Sequence, residues 1–305
     1  MSDTSSPSLE RAILEALAYS DIFDYPLTLD ELHRYLPVST TREELKISIP
    51  QSCVSQPSGC GKQEYFSLPN RSAIVDLRLE REAASRPAFR RALSYGKILA
   101  LFPFVRMVAM TGSLAVLNLS KNADMDFMLI TVPKRLWIAR AFAVSFGRLM
   151  RIAGDRICVN LLVSENALEW PRHDLYSARE MGQMIPIAGP DMYLRLREAN
   201  LWVETFLPNA SSTPGHSPNQ AVETGSLVQH LFEFLFPSRL ATWLDGFLMD
   251  LQLRKIALKY GRGSETNFNR DVCQGNFHNH RTWADEHFHA RLTALGLSPH
   301  KEPEL

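Results

Sequence analysis

The sequence predicts an α+β chain built on a small mixed sheet, with helical segments before and after it. Three observations lead there. A short apolar run over residues 105–110, bounded by Pro103 and Gly112, reads as a strand. The stretch 124–131 alternates, which puts Asp124, Asp126, Met128 and Ile130 on one face of a second strand and Met125, Phe127 and Leu129 on the other. A helix opening at Pro133 and running to about residue 153, with Gly154 placed for a C-terminal cap, leads into a third strand over 157–163. Strand, turn, strand, helix, strand gives a mixed sheet with helices on one side.

The elements before this core are helical. Leu9, Ile13 and Leu17 mark one face of a first helix that ends near the 21–26 turn, where Pro26 disfavours helix at Tyr25. Thr28 with Glu31 three residues on is a capping-box pattern opening a helix over 29–36, and Thr40 or Thr41 can cap a third helix to about residue 47. After a Pro/Ser/Gly stretch at 50–61, residues 64–68 read as a short strand. Three helices and a strand predict a winged-helix-like module over 1–72. A long helical stretch over 71–102, interrupted by Pro87, leads into the central domain, placed at 73–169.

From Trp170 onward the pattern is helical, giving a C-terminal helical domain over 170–305 with one polar, loop-like interruption at 208–224. Residues 227–260 read as one or two amphipathic helices split at Pro237, and 282–295 as a last one. The tail aromatics Trp202, Phe206, Phe232, Phe234, Phe236 and Trp243 have helical spacing and read as core packing.

Composition narrows the function classes. In 305 residues, Lys plus Arg number 33 and Asp plus Glu 33, so no global field attracts nucleic acid or an anionic membrane, and a polyanion must be held locally. Cys53, Cys60, Cys158 and Cys273 form no C-x-x-C pair and read neither as a zinc site nor as a disulfide framework, which fits a reducing cytoplasm. The Ser-rich, acidic start is unlike a secretory signal. The apolar stretch 227–249 carries Glu233, Arg239 and Asp245 and is broken by Pro237, so no simple membrane span is expected.

The chemistry concentrates in the sheet. Two carboxylates one residue apart on a strand point the same way, so Asp124 and Asp126 can share one divalent cation, Mg2+ or Mn2+, through hard oxygens. Gly112-Ser113, between a strand and a short helix, offers backbone N–H groups and a hydroxyl to phosphate oxygens. Met110-Thr-Gly-Ser113, ten intervening residues, then Asp124-Met-Asp126-Phe127 resembles the pattern of polymerase-beta-like nucleotidyltransferases, over about residues 105–163. More loosely, the N-terminal module and helical tail resemble uncharacterised bacterial proteins carrying such a domain.

That resemblance implies Mg-dependent transfer of a nucleoside monophosphate from an NTP to an acceptor, which can be RNA, protein or a small molecule, with pyrophosphate leaving. In the family a third carboxylate on the adjacent strand completes the metal site. Here the corresponding position is read as Asn160, whose amide can ligate a metal but brings no charge and no base. Asp155 and Glu165 stand at the two ends of that strand. The departure leaves a second reading, a nucleotide-binding or regulatory protein on the same fold with impaired catalysis.

Other features are weaker. His278, His280, His287 and His289 crowd one segment, but i,i+2 pairs diverge on a helix and read as a solvated tail. Lys134, Arg135, Arg140, Arg148 and Arg151 surround one helix, from which Arg135 or Arg140 can reach a triphosphate or nucleic acid. A third reading is a DNA-binding regulator acting through the N-terminal module. Its presumed third helix, 41–46, carries two acids against two bases, which phosphates do not favour.

Overall fold

The computed structural model describes residues 8–55, 63–120, 123–215, 221–234, 237–260, 265–277 and 279–298. Helices α1 (Leu9–Asp21), α2 (Leu29–Tyr35) and α3 (Arg42–Ser48) come first. Thr28 and Thr41 close reciprocal capping boxes with Glu31 and Glu44, which satisfy the first free N–H groups of α2 and α3. Two residues of β1 (Val54–Ser55) pair antiparallel with β2 (Tyr65–Phe66). Cys60 and the rest of 56–62 lie outside the described residues.

Helix α4 (Ile74–Leu99) runs through Pro87 without a break, which corrects the expected interruption. Pro87 and Ala83, whose carbonyl loses its helical partner, are both exposed, so water can serve the freed oxygen. The central unit continues as β3 (Val105–Thr111), the short α5 (Gly112–Ala115), β4 (Met125–Thr131), α6 (Leu136–Ile152) and β5 (Ile157–Ser164). Gly154, at φ 89°, follows α6 as the sequence predicts.

The region after Trp170 is not purely helical. Between α7 (Leu175–Gln183), α8 (Pro190–Glu198), α9 (Val203–Phe206), α10 (Leu227–Phe234), α11 (Ser238–Tyr260) and α12 (His280–Ala294) it supplies β6 (Ile185–Ala188), β7 (Glu265–Phe268) and β8 (Val272–Asn276). All three join β3, β4 and β5 in one six-stranded mixed sheet, in the order β6-β3-β4-β5-β8-β7. Only β4 and β5 run parallel. These added strands are short, and β7 and β8 are mostly polar, so no apolar period announces them.

Helices cover both faces of the sheet, where one covered face was expected. Met107, Ala109, Met128 and Ile130 pack with Ile13 and Leu17 of α1, Met181 of α7 and Leu292 of α12. Val108, Met110, Phe127 and Leu129 pack on the other side with Ala88 and Ala92 of α4 and Leu136 and Trp137 of α6. The alternation read for 124–131 therefore divides two cores. Burial of the larger apolar chains among these, roughly 1.5–3 kcal/mol each, fixes the sheet between its helix layers.

Helix α11 docks on α6 through Asp245, whose Oδ1 accepts from the Trp137 and Ile138 N–H groups at 2.9 Å each. A carboxylate there also complements the helix dipole. Its outer face is unpacked: Trp243 is 65 % exposed and Phe234 of α10 is 83 % exposed. Phe232 is exposed as well, so among the tail aromatics only Trp202 and Phe206 are core; Phe236 lies outside the described residues. No helix among the described residues is long and apolar enough to cross a membrane.

The N-terminal helices are held by polar ties as well as by core. Arg34 Nε donates to the Gly182 carbonyl at 3.0 Å, and Tyr25 Oη to the Val116 carbonyl at 3.0 Å. Arg81 reaches Asn118, whose amide donates to the Phe23 carbonyl. Asp21 is gripped by Arg71 at 2.7 Å and by Arg291 of α12 at 2.6 Å.

Candidate functional site

Strand pairing brings the two halves of the predicted site together. β3 and β4 are antiparallel with Thr111 opposite Asp126, so the turn that leaves β3 begins where β4 starts to carry its acids. Gly112 has φ +64°, and a Cβ built on it would stand 2.5 Å from Asp126 Oδ2. Only glycine accepts both that backbone and that neighbour. Ser113 follows in α5, and its carbonyl accepts from Asn118 N at 2.8 Å, which closes the turn. Asp124 sits just ahead of β4, so Gly112, Ser113, Asp124 and Asp126 gather at one end of the paired strands.

The third strand departs from the expected register. Asp126 pairs with Cys158 and Phe127 with Val159, but Met128 pairs with Leu161, so a β-bulge absorbs Asn160. Cys158, not Asn160, is the residue beside Asp126, and the two side chains share a hydrogen bond. Burial and the Asp126 and Asp124 carboxylates push the Cys158 thiol up to about 12, which keeps it a protonated donor. The Asn160 amide oxygen is buried without a partner, as is the Thr111 hydroxyl across from Asp126. Asp155 is bound to Arg91 at 2.9 Å and Glu165 to Arg195 at 3.3 Å, so neither stands in for a third acid.

A carboxylate the sequence reading missed comes from α7. Burial, then the charges of Glu180 and Asp124, push the Asp126 carboxyl up to about 8. Burial also pushes the Glu180 carboxyl up to about 7, and its Oε1 accepts from the Gln183 amide at 2.7 Å. No Lys or Arg among the described residues pairs with Asp124, Asp126 or Glu180. Among the described residues no three His, Cys, Asp or Glu side chains are grouped closely enough to hold a metal ion by themselves.

A cavity of about 120 Å³ opens at this place, bordered by Gly112, Ser113, Tyr25, Tyr176, Arg179 and Glu180. It lies between α1, α7 and the turn after β3. The polar residues that α7 offers it, Tyr176, Arg179, Glu180 and Gln183, repeat at i, i+3, i+4 and i+7, while Ala178, Met181 and Gly182 of the same helix are buried. That stripe is the signal that a helix face serves a site. A larger cavity, about 730 Å³, lies under α8 by Tyr193 and Arg197 and touches none of the predicted residues.

The remaining candidates fall elsewhere. Arg135 donates to Thr242 and Ser238, and Arg140 to Gln252 of α11, so both face the helix pair. His280, His287 and His289 lie on α12, with His287 bonded to the Trp283 carbonyl; His278 is outside the described residues. On α3 only Leu45 is buried, which leaves Glu43 and Glu44 on its outer surface beside Arg42 and Lys46. No family model, curated protein or solved structure matches this chain.

Proposed function

We propose that the chain is a nucleotidyltransferase of the polymerase-beta type, moving a nucleoside monophosphate from an NTP to an acceptor with Mg2+ or Mn2+, and that it works in the cytoplasm. The observation that carries the reading is the contact of Gly112 with Asp126: a phosphate-binding turn is held against a metal-type carboxylate so closely that no side chain fits between. The free thiols of Cys53, Cys158 and Cys273 agree with a reducing compartment.

The donor set fits a hard divalent ion. Among the described residues Asp124 and Asp126 have no cationic partner, and the orphaned Asn160 amide oxygen and Thr111 hydroxyl add neutral oxygens on the adjacent strands. Mg2+ is commonly held by one or two carboxylates, with phosphate oxygens and water filling the rest of its shell. When bound, it would offset the charge on the phosphates during transfer. Gly112 and Ser113 would orient the triphosphate through N–H groups and the hydroxyl. The acceptor oxygen then bonds to the α-phosphorus, the bond from that phosphorus to the bridging oxygen breaks, and pyrophosphate leaves. Glu180, half-buried and close to Asp126, would receive the acceptor proton.

Incubation with labelled NTPs, Mg2+ and panels of RNA, protein and small-molecule acceptors tests the assignment. Transfer by the wild type that Asp126→Asn abolishes is expected; no transfer to any acceptor sinks catalysis. One observation favours the second reading, a nucleotide-binding protein without turnover: the residue beside Asp126 on β5 is a thiol rather than an acid. Calorimetry separates the two, since Mg-dependent NTP binding with no product supports the second.

A further inference from the structure

The cavity beside Ser113 is bordered by a cation that no carboxylate among the described residues pairs with. Arg179 is only 5 % exposed. Its Nη2 donates to the Ala16 carbonyl at 3.3 Å and to Ser20 Oγ at 2.8 Å. The rings of Tyr35 and Tyr19 lie 4.0 and 4.6 Å from the guanidinium carbon. Nε and Nη1 have no hydrogen-bond partner among the described residues, and no carboxylate there pairs with the group.

Other buried arginines of the chain are treated differently. Arg78 has the Glu31 carboxylate at 2.6 Å. Arg34 lacks an acid but spends Nε, Nη1 and Nη2 on Gly182 and Ser212. Arg179 alone among these three is held by one nitrogen and leaves the others to a cavity. A buried guanidinium is costly unless paired, so the free donors are best matched by an anion from outside. Its planar fork suits oxyanions bidentately. Its neighbour Glu180 borders the cavity too, with its carboxyl engaged by Gln183.

We propose that this cavity is the acceptor subsite of the transfer reaction and that Arg179 grips a phosphate group on the acceptor, which makes the acceptor a phosphorylated molecule. The inference rests on the nucleotidyltransferase reading. Size allows the group: about 120 Å³ bordered by Tyr19, Tyr25, Tyr35 and Tyr176 has room for a phosphate. Chemistry suits phosphate: the N–H groups left on Nε and Nη1 of Arg179 form a planar fork that matches two phosphate oxygens.

The test is calorimetry of the full chain with inorganic phosphate and no NTP. Saturable binding is expected, weakened at least tenfold in Arg179→Met and by less in Arg179→Lys, which keeps charge but loses the fork. Unchanged phosphate affinity in a variant with wild-type circular dichroism, or no saturable binding by the wild type, overturns the proposal. Should neither variant fold, the Arg179 Nε–H resonance of the wild type must move during phosphate titration; a fixed resonance overturns it. Repeating the titration with saturating MgATP decides whose phosphate is held: undiminished binding supports the acceptor, and displacement assigns Arg179 to the nucleotide and overturns the acceptor subsite. Arg179-dependent phosphate binding in a protein that transfers nothing from any NTP sinks the transferase reading and leaves the oxyanion site standing.

Discussion

The acids of the N-terminal helices and those at the end of β4 live in opposite company. Glu31 is half-buried, yet it receives Arg78 at 2.6 and 2.9 Å, Tyr25 Oη at 2.6 Å and Thr28 N at 2.8 Å. Burial alone would raise its pKa; Arg78 and these bonds hold it below the usual carboxylate range. Asp126 has a thiol for a partner and two other carboxylates nearby, and it is pushed up to about 8. The first arrangement ties elements together. The second crowds carboxylates together with no described cation among them, the pattern expected of a site awaiting one.

The largest effect should come from breaking the paired set. Arg78→Met leaves Glu31 buried without its cation, and a loss of about 3–5 kcal/mol is expected in urea unfolding. A loss under about 1 kcal/mol would mean that the pair behaves like a surface salt bridge. Gly112→Ala comes next, at about 1–3 kcal/mol, because a Cβ at φ +64° strains the backbone and meets Asp126. It should also abolish Mg-NTP binding by calorimetry, and wild-type affinity would contradict the phosphate role of the turn.

Asp126→Asn should have the opposite sign. With a folded pKa near 8 against about 3.9 in the unfolded chain, the native state holds a proton that the unfolded state releases, so Asp126 costs stability as pH rises through that window. The variant should melt higher than wild type at pH 8 and alike at pH 4. Glu31 runs the other way: its depressed pKa contributes stability above about pH 4.3 that is lost as pH falls further. The smallest effect sharpens the site itself. Glu180→Gln removes a like charge and should lower the Asp126 pKa in a carboxyl NMR titration. An unmoved value would place Glu180 outside its field.

Where the chain's own periodicity decides structure, the sequence was readable. Alternation over β4, the capping boxes at Thr28 and Thr41, and the glycine at 112 are local, and each appears where its chemistry calls for it. What could not be read depends on distant partners. The bulge at Asn160 shifts Cys158 beside Asp126 without changing any local pattern. Glu180 and Arg179 reach the site from a helix more than fifty residues downstream. Strands β7 and β8 form only because β5 offers an edge to pair with.

Asp21 carries a consequence for how the chain is made. One of its two cations, Arg71, is translated soon after it; the other, Arg291, comes 270 residues later on α12. Arg179, which anchors the C-terminal end of α1, also follows long after that helix. Helices α2 and α3 can cover part of the apolar face of α1 as they are made, whereas α12 arrives only at the end. The last contacts of α1 therefore close over a sequence separation that makes them slow to form.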